Sequence, residues 1–328
     1  MTRMRRALVV AAGLGVAALL LYLSLAQVEL RQVGAEVART SVPWLVVSVV
    51  VRLSALAIAA ARSRVLFAPL GAVSSYRLYK SLVLGFIVQN VIPFRAGELA
   101  RVSYLARFNQ LPASTCLAVV ATERLLDVFA LLTLFLAVLP AASVELPIGG
   151  ALYVSGAVAA LAVSAAVLVS RHPRRFVSIC AALGGLLGDS VGEFVEARSG
   201  AFARGFSALG SARSVLGVLL LSWLFWIGSA TTIKVWMVAA GLDLPWYAPV
   251  LVLAFLSLGL AVPATPANIG TYHFLVFSAV TLLGVDQTRA GAFALVSHAM
   301  AIVPLTLIGL VLLFGDLYRP ARAPSSSP

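Results

Sequence analysis

Charged side chains inside apolar runs are the features of this sequence that could do chemistry. In the run CLAVVATERLLDVFALLTLFLAVLP, Glu123 and Asp127 are four residues apart and share one face of a helix, and Arg124 lies beside that face. Each charge near the centre of a membrane-spanning helix costs about 2.5–3.5 kcal/mol on insertion scales, so these side chains must face protein rather than lipid. The expected partners are the charged residues of the preceding segment, Arg95, Glu98 and Arg101.

This group of charges has two interpretations. It is either a structural ion-pair cluster that holds one segment against the next, or it leaves one or more arginines to bind an anionic group. In the second case the arginines hold the anion, and the carboxylates orient the arginines and gate access. The arginines are Arg95, Arg101 and Arg124, and the carboxylates are Glu98, Glu123 and Asp127.

Two more basic residues interrupt apolar runs. Arg52 lies mid-span in VVVRLSALA, about 15 Å from the outer end of its predicted helix at 1.5 Å per residue, too deep for its side chain to reach the surface easily. Lys234, in ATTIKVWMV, lies nearer the outer surface, where extension of the side chain to the interface is the alternative to a binding role. Together with Arg95 and Arg101, these residues predict a series of basic sites along which a phosphate could cross the bilayer.

A polar segment, PATPANIGTYHF, interrupts a later apolar stretch. Pro266 favours the start of a helix whose N-terminal dipole and free N–H groups would point at the bilayer midplane, an arrangement that suits phosphate, and Gly270 allows close approach of the backbone. His273 and His298 are either hydrogen-bonded polar residues or parts of a proton-linked step. The candidate ligand-binding side chains of this segment are Asn268 and Thr271.

The composition is that of a polytopic membrane protein. Of the 328 residues, 61% are hydrophobic and 11% are charged, against about 25% charged in ordinary soluble domains, and the mean hydropathy is +1.03. The net charge of +12 could indicate nucleic acid, but the placement of the charge indicates orientation of membrane spans instead, and we expect no nucleic-acid partner. No zinc-type Cys/His spacing and no Gly-x-x-x-x-Gly-Lys-Ser/Thr motif occurs, so we expect no metal and no cofactor. Cys116 and Cys180 are predicted to be unpaired.

The elements that must position the charged residues are helices. The fold class is an all-α polytopic membrane protein with about six full transmembrane helices and two re-entrant broken hairpins, at 79–108 and 248–284. Full spans are predicted at 7–26, 42–61, 114–139, 150–170, 215–238 and 289–314. The apolar run at 82–88 is far shorter than the ~20 residues of a span, and proline ends or kinks a helix. The turns would be shaped by Pro93 and Gly97 in the first hairpin, and by Pro263, Pro266 and Gly270 in the second.

The two hairpins predict an inverted repeat around a central cavity. LVLGF at 82–86 resembles LVLAF at 251–255, and with one added residue Pro93 aligns with Pro263. Interrupted segments in corresponding halves indicate a transporter site, and non-helical backbone at that depth must be buried in protein or line a wet cavity. The predicted single transmembrane domain, 1–318, comprises a first span and outer linker (1–41), a first repeat (42–170), a cytoplasmic amphipathic segment (171–213) and a second repeat (214–318), followed by a disordered tail (319–328).

Loop charge predicts the orientation. With both termini cytoplasmic, most of the 24 Lys and Arg residues lie on the inner side, Arg62 and Lys80 among them, and the outer side holds mainly acids. This distribution indicates a bacterial-type cytoplasmic (inner) membrane, with the two hairpins entering from opposite faces. The first span, preceded by MTRMRR, is predicted to stay uncleaved, although its end resembles a signal-peptide site.

The motifs IPFRAGELARVSYLAR, ATERLLDVFALL and PATPANIGTYHF resemble the signatures of the flippase-like membrane family that includes the transmembrane region of bacterial lysylphosphatidylglycerol synthase/flippase. The resemblance implies a flippase-like fold with re-entrant helices and a lipid-handling role. Many relatives have an acidic residue at the position of His273 and a basic one near His298, so head-group choice need not carry over. The resemblance also implies that the aminoacyl-transferase domain of the synthase is absent here. The matching positions are Arg95, Gly97, Glu98, Arg101, Glu123, Arg124, Asp127, Pro266 and Gly270.

The sequence therefore predicts a lipid flippase or transporter rather than an enzyme. Its cargo would be an anionic or phosphate-headed lipid, either a phospholipid or a polyprenyl-linked glycolipid, moved between leaflets through a central polar cavity. Two alternatives stay open at this point: a membrane-embedded transferase on a lipid-linked donor, and a non-transporting partner subunit of an envelope-synthesis complex. A homo-oligomer is compatible with each of them.

Overall fold

The structure, a computed structural model, describes residues 15, 19, 22, 30–92, 96–142, 149–186, 188–260 and 266–317. These residues form twelve α-helices, joined by short turns and three 3-10 segments, and no strand. The helices are α1 (Leu30–Ala38), α2 (Val42–Phe67), α3 (Ser75–Val91), α4 (Ala96–Asn109), α5 (Ala113–Ala142), α6 (Gly149–Arg171), α7 (Pro173–Gly185), α8 (Asp189–Arg204), α9 (Ala212–Ala239), α10 (Ala248–Gly259), α11 (Thr271–Leu282) and α12 (Gln287–Leu317). The predicted all-α class is confirmed, while the tail 319–328 and, apart from residues 15, 19 and 22, the predicted first span lie outside the described residues.

Four of these helices, α2, α5, α9 and α12, are long and apolar enough to cross a membrane. Even the shortest, α2 with 26 residues, extends about 39 Å at 1.5 Å per residue, which exceeds the ~30 Å hydrocarbon core. A helix satisfies all its backbone hydrogen bonds internally, so a long apolar run in lipid folds in this way. Residues 156–171 of α6 reach the length and apolar character of a span only together with α7, and the two helices meet at a bend of 101°. The described residues therefore give four spans, or five if this bent pair is one span.

The first proline-interrupted segment forms two antiparallel helices, α3 and α4. Gly85 of α3 packs against Gly97 of α4, and Arg77 Nη1 near the start of α3 donates to the carbonyl oxygen of Phe108 near the end of α4 at 2.9 Å. With 17 and 14 residues, each helix is shorter than the bilayer core, at about 25 and 21 Å. The helical hairpin between the two is therefore present, although its tip, with Pro93 and Arg95, lies outside the described residues.

The second interrupted segment also forms two short helices. α10 and α11 have 12 residues each, and Gly259 at the end of α10 packs against Leu275 of α11. The described part of their connection is the 3-10 segment Pro266–Asn268, in which Ala267 and Asn268 have φ of 53° and 55°, followed by Gly270 at 85°. Such left-handed backbone persists only where the surrounding structure holds it. Pro263 lies outside the described residues.

The order long, short, short, long occurs twice along the chain, in α2–α5 and again in α9–α12. The first members of the two sets, α2 and α9, pack antiparallel along their length. Trp236 Nε1 donates to Ser48 Oγ at 2.9 Å, and Arg62 Nη1 donates to Ser222 Oγ at 3.0 Å, so late residues of one helix meet early residues of the other. Between these contacts, Gly228 lies close against Ala55. This helix pair forms the centre of the molecule.

The predicted amphipathic segment 171–213 contains two helices, α7 and α8. α7 and α8 pack against each other, and α8 docks on α5 through Thr115, whose Oγ1 donates to the carbonyl oxygen of Ala201 at 2.8 Å. Gly188, with φ of 125°, makes the turn between them possible. The large apolar side chains left exposed on this pair are Ile179, Leu183, Leu186 and Phe194.

Candidate functional site

A cavity of about 410 Å³ lies between the two sets of helices. Its wall combines aromatic and aliphatic side chains from α2, α3, α5 and α9 with charged side chains, and Asn268 of the second hairpin also lines it. A larger groove of about 620 Å³ between α2 and α3 contains one charged residue, Arg64. The central cavity instead collects six charged residues: Arg52, Arg62, Glu98, Arg101, Arg124 and Asp127.

Five of these residues, together with the buried Glu123, form what we term the charge cluster: Arg62, Glu98, Arg101, Glu123, Arg124 and Asp127. Arg101 Nη2 lies 2.9 Å from Glu123 Oε2, and Arg124 Nη2 lies 3.1 Å from Asp127 Oδ2. Glu98 is shared, with one oxygen 3.4 Å from Arg124 Nε and the other 3.8 Å from Arg101 Nη1. Three arginines face three carboxylates, so the formal charges of the cluster cancel.

The short hairpin α3–α4 is positioned by this cluster. Glu98 and Arg101 are one turn apart on α4, and their partners Glu123 and Arg124 lie on α5. Gly85 also admits the stem of Arg101, because a Cβ at this position would lie 2.6 Å from Arg101 Cγ. Glu123 is 0% exposed and accepts a further hydrogen bond from Ser63 Oγ, so its burial is compensated by both an ion pair and a hydroxyl.

Arg62 is the residue of this cluster that the sequence analysis misplaced. It was counted with Lys80 among the cations of the inner surface, but α2 continues to Phe67, and these side chains are only 1% and 2% exposed. The physical reason is compensation within the protein: Arg62 pairs with Asp127, donates to Ser222 Oγ and lies 5.7 Å from the centroid of the Phe225 ring. A charge with such partners does not need water.

Arg52 differs from the arginines of the charge cluster. Among the described residues, no carboxylate lies within ion-pair distance of it, and it shares a pocket wall with the phenol of Tyr272. Arg52 lines both the central cavity and an adjoining pocket of about 230 Å³. Hydroxyl side chains of that pocket include Ser229, Thr232, Ser257 and Tyr272. When the buried Glu123 behind the wall is counted with the charges of the cavity, the described residues of the site hold one more arginine than carboxylates.

The candidate residues of the second hairpin lie at one side of the cavity. Asn268 lines it, and the buried Thr271 Oγ1 has no hydrogen-bond partner among the described residues. His273 Nε2 lies 3.2 Å from His298 Nδ1, which brings together the two histidines that the sequence analysis singled out. Tyr272 stacks on His298 with ring centroids 4.5 Å apart.

Other predicted site residues lie elsewhere. Lys234 lines a separate pocket of about 270 Å³, where its Nζ donates to the carbonyl oxygen of Leu244 at 3.0 Å. That pocket shares Leu131 and Trp226 with the central cavity, so the two are neighbours. Pro266 and Gly270 flank the left-handed turn of the second hairpin. Arg95, Pro93 and Pro263 lie outside the described residues, and their roles stay predictions.

These features define a multi-pass membrane protein with compensated charges inside its helical core. The family model described as "Lysylphosphatidylglycerol synthase TM region" matches residues 10–309, and the chain belongs to this family. No curated protein and no solved structure matches it. Among the described residues, no group of three or more His, Cys, Asp and Glu side chains could hold a metal ion.

Proposed function

We propose that this protein is a lipid flippase that moves an anionic or phosphate-headed lipid between leaflets through the central cavity. The single observation that carries the proposal is Arg52, an arginine on the cavity wall that pairs with no carboxylate of the described residues. A guanidinium binds phosphate through two parallel hydrogen bonds, and a bound anion would compensate a charge that the described protein leaves open. The name of the family refers to a lipid-modifying synthase, which supports a membrane lipid as the cargo.

The size of the cavity supports a head-group site. About 410 Å³ is within the range of about 300–1,000 Å³ that holds small molecules, so it would enclose a head group while the acyl chains remain in the bilayer. The apolar part of the wall, with Phe86, Val128 and Leu131, would face the first segments of those chains.

The charge cluster takes the role of scaffold and gate in this proposal. Arg101 is 4% exposed and paired with Glu123, so releasing it to a ligand would leave a buried carboxylate unpaired. Arg124 is different, because its side chain is 41% exposed and reaches Glu98 and Asp127 at the cavity wall. We infer that Arg124 exchanges one carboxylate for the head group as the lipid passes, while Arg101 stays fixed.

An inverted repeat of α2–α5 and α9–α12 would supply alternating access. Equivalent helices of two inverted repeats run antiparallel, as α2 and α9 do, and the two short-helix hairpins then enter the bilayer from opposite faces. Movement of one half against the other around the Gly228–Ala55 contact would open the cavity to each side in turn. This arrangement also agrees with a cytoplasmic membrane in which both termini are cytoplasmic.

Reconstituted vesicles with a fluorescent anionic phospholipid test the proposal. We expect the wild-type protein to accelerate lipid exchange between leaflets, and Arg52→Gln to slow it about tenfold or more, because a hydrogen bond to a charged group contributes about 1.5–3 kcal/mol. Arg52→Lys should recover part of the rate, since the charge remains but the two-pronged geometry is lost.

The matched control is Arg213→Gln, which removes an exposed arginine at the start of α9 and should leave the rate unchanged. Equal rates for wild type and Arg52→Gln, with both proteins folded, would remove Arg52 from the mechanism. No acceleration by the wild-type protein with any anionic lipid would contradict the flippase itself.

A further inference from the structure

The two histidines of the second half are joined in a continuous hydrogen-bonded chain that begins and ends in the same turn. The backbone N–H of Gly270 donates to His273 Nδ1 at 3.4 Å, His273 Nε2 lies 3.2 Å from His298 Nδ1, and His298 Nε2 lies 2.9 Å from the carbonyl oxygen of Ala267. The chain therefore ties α11 and α12 to the left-handed turn Ala267–Gly270. Both histidines are buried, at 8% and 7% exposure.

The chemistry of the end groups fixes every proton in this chain. A carbonyl oxygen only accepts, so His298 Nε2 must carry a hydrogen, which leaves Nδ1 of a neutral His298 as an acceptor. A backbone N–H only donates, so His273 Nδ1 must be an acceptor and His273 Nε2 must carry the hydrogen. His273 Nε2–H then donates to His298 Nδ1. All three bonds are satisfied only when both rings are neutral.

One added proton breaks one of these bonds. A proton on His298 Nδ1 would face the N–H of His273 at 3.2 Å, and two donors would then oppose each other. A proton on His273 Nδ1 instead opposes the Gly270 N–H, which is the longest contact of the chain, and keeps a charge-assisted bond from His273 to His298. The first proton therefore enters at His273 Nδ1, and repulsion between adjacent imidazolium rings opposes a second.

Few charged or titratable side chains of the described residues surround the histidine pair. Tyr272 stacks on His298, and Arg52 of α2 lines the same pocket as Tyr272. α10 carries no titratable side chain, and Lys80 of α3 lies nine residues, about 13 Å along the helix, before the cavity-lining Gln89. The carboxylate of α1, Glu36, is paired with Arg39. No described carboxylate forms an ion pair with either ring, so an added proton has no ready counter-charge at the site.

We propose that the His273–His298 pair is a proton-binding site that takes up one proton, releases the Ala267–Gly270 turn and thereby couples lipid movement to pH. The coupling to transport rests on the function proposed above, whereas the release of the turn does not. Loss of the Gly270 bond removes one of the two hydrogen bonds by which the histidines hold the left-handed turn that places Asn268 on the cavity wall. The ring of Tyr272 lies 6.3 Å from that of His273 and lines a pocket with Arg52, so a positive charge on His273 and an anion bound at Arg52 would favour each other.

Cysteine labelling tests the release of the turn without any lipid assay. In a chain with Cys116 and Cys180 replaced by Ala, Thr271→Cys places a thiol at a buried position next to Gly270. Its rate of reaction with a small maleimide in detergent is measured between about pH 4 and pH 8, because protonation of the buried pair costs the Gly270 bond and finds no counter-charge among the described residues. Ser190→Cys, exposed at the start of α8, corrects for the intrinsic pH dependence of the thiol. We expect the corrected rate to rise several-fold towards acid pH, and to lose this dependence in His273→Gln, which removes the nitrogen that takes up the proton.

Lipid exchange over the same pH range completes the test. We expect the rate of the wild type and of His172→Gln, which removes the exposed histidine before α7, to change with pH, and the rate of His273→Gln to be flat. A corrected labelling rate that does not change with pH overturns the proton site, whether or not lipid moves. A pH-dependent labelling rate in a protein that moves no lipid supports the proton site and contradicts the flippase function.

Discussion

Asp127→Asn should lower the free energy of unfolding by about 3–5 kcal/mol, the usual cost of removing one partner from a buried ion pair. The variant keeps the size of the side chain but leaves Arg62, which is 1% exposed, without its carboxylate. Trp226 also loses a charged acceptor, since its Nε1 donates to Asp127 Oδ1 at 3.2 Å. Chemical or thermal unfolding in detergent, followed by tryptophan fluorescence or circular dichroism, measures the effect.

Replacing both Arg62 and Asp127 with apolar residues distinguishes the contribution of the ion pair to stability from that of side-chain packing. In Arg62→Met/Asp127→Leu the uncompensated charge is gone, and buried pairs replaced by apolar residues of similar volume often lose little stability. We therefore expect the double variant to be more stable than Asp127→Asn alone. The exposed acid Asp243 gives the control, because Asp243→Asn should change stability by less than about 0.5 kcal/mol. If Asp127→Asn unfolds like the wild type, the charge cluster does not hold the core together.

Gly97→Ala should separate the two helices of the first hairpin. A Cβ at this position would overlap the carbonyl oxygen of Gly85, and backbone cannot move aside as a flexible side chain can. Overpacking of this kind costs about 1–3 kcal/mol, and here it would also displace Glu98 and Arg101 from their partners on α5. We expect a lower unfolding temperature and slower lipid exchange.

Gly217→Ala is the matched control for this substitution. Gly217 lies within α9, and a Cβ there would meet nothing within 4 Å. Because alanine favours a helix over glycine by about 0.8–1.0 kcal/mol, this variant should be as stable as the wild type or slightly more stable. The same loss of stability in both variants would show that the close approach of Gly85 and Gly97 is not what limits the hairpin.

Much of the fold follows from local properties of the sequence. The long apolar runs that form α2, α5, α9 and α12 exceed the bilayer thickness, and such runs have few alternatives to a helix. Proline also predicts where a helix ends, because it has no backbone N–H to donate and its ring clashes with the preceding turn of the helix. Accordingly, α3 ends at Val91, just before Pro93. The bend between α6 and α7 was harder to predict, since it is set by how α7 and α8 pack on each other and on α5.

The candidate site was predictable where its partners are close in sequence. Glu123 and Asp127 share a helix face, and the structure brings them to Arg101 and Arg124, as their cost in lipid requires. The partner of Asp127 on α2 was not predictable, because Arg62 is 65 residues away and follows the end of an apolar run. An arginine directly after an apolar run has the same sequence pattern whether its charge is solvated by water or paired with a carboxylate distant in sequence. That Arg52 pairs with no described carboxylate could be learned only from the structure, for the same reason.

Native mass spectrometry of the purified protein with added lipids tests the central claim most directly. We predict that the wild type retains a bound anionic phospholipid in preference to a zwitterionic one of the same chain length, and that Arg52→Gln loses this preference while Arg213→Gln keeps it. Equal retention of the two lipids by the wild type, or an unchanged preference in Arg52→Gln, would contradict a head-group site at Arg52.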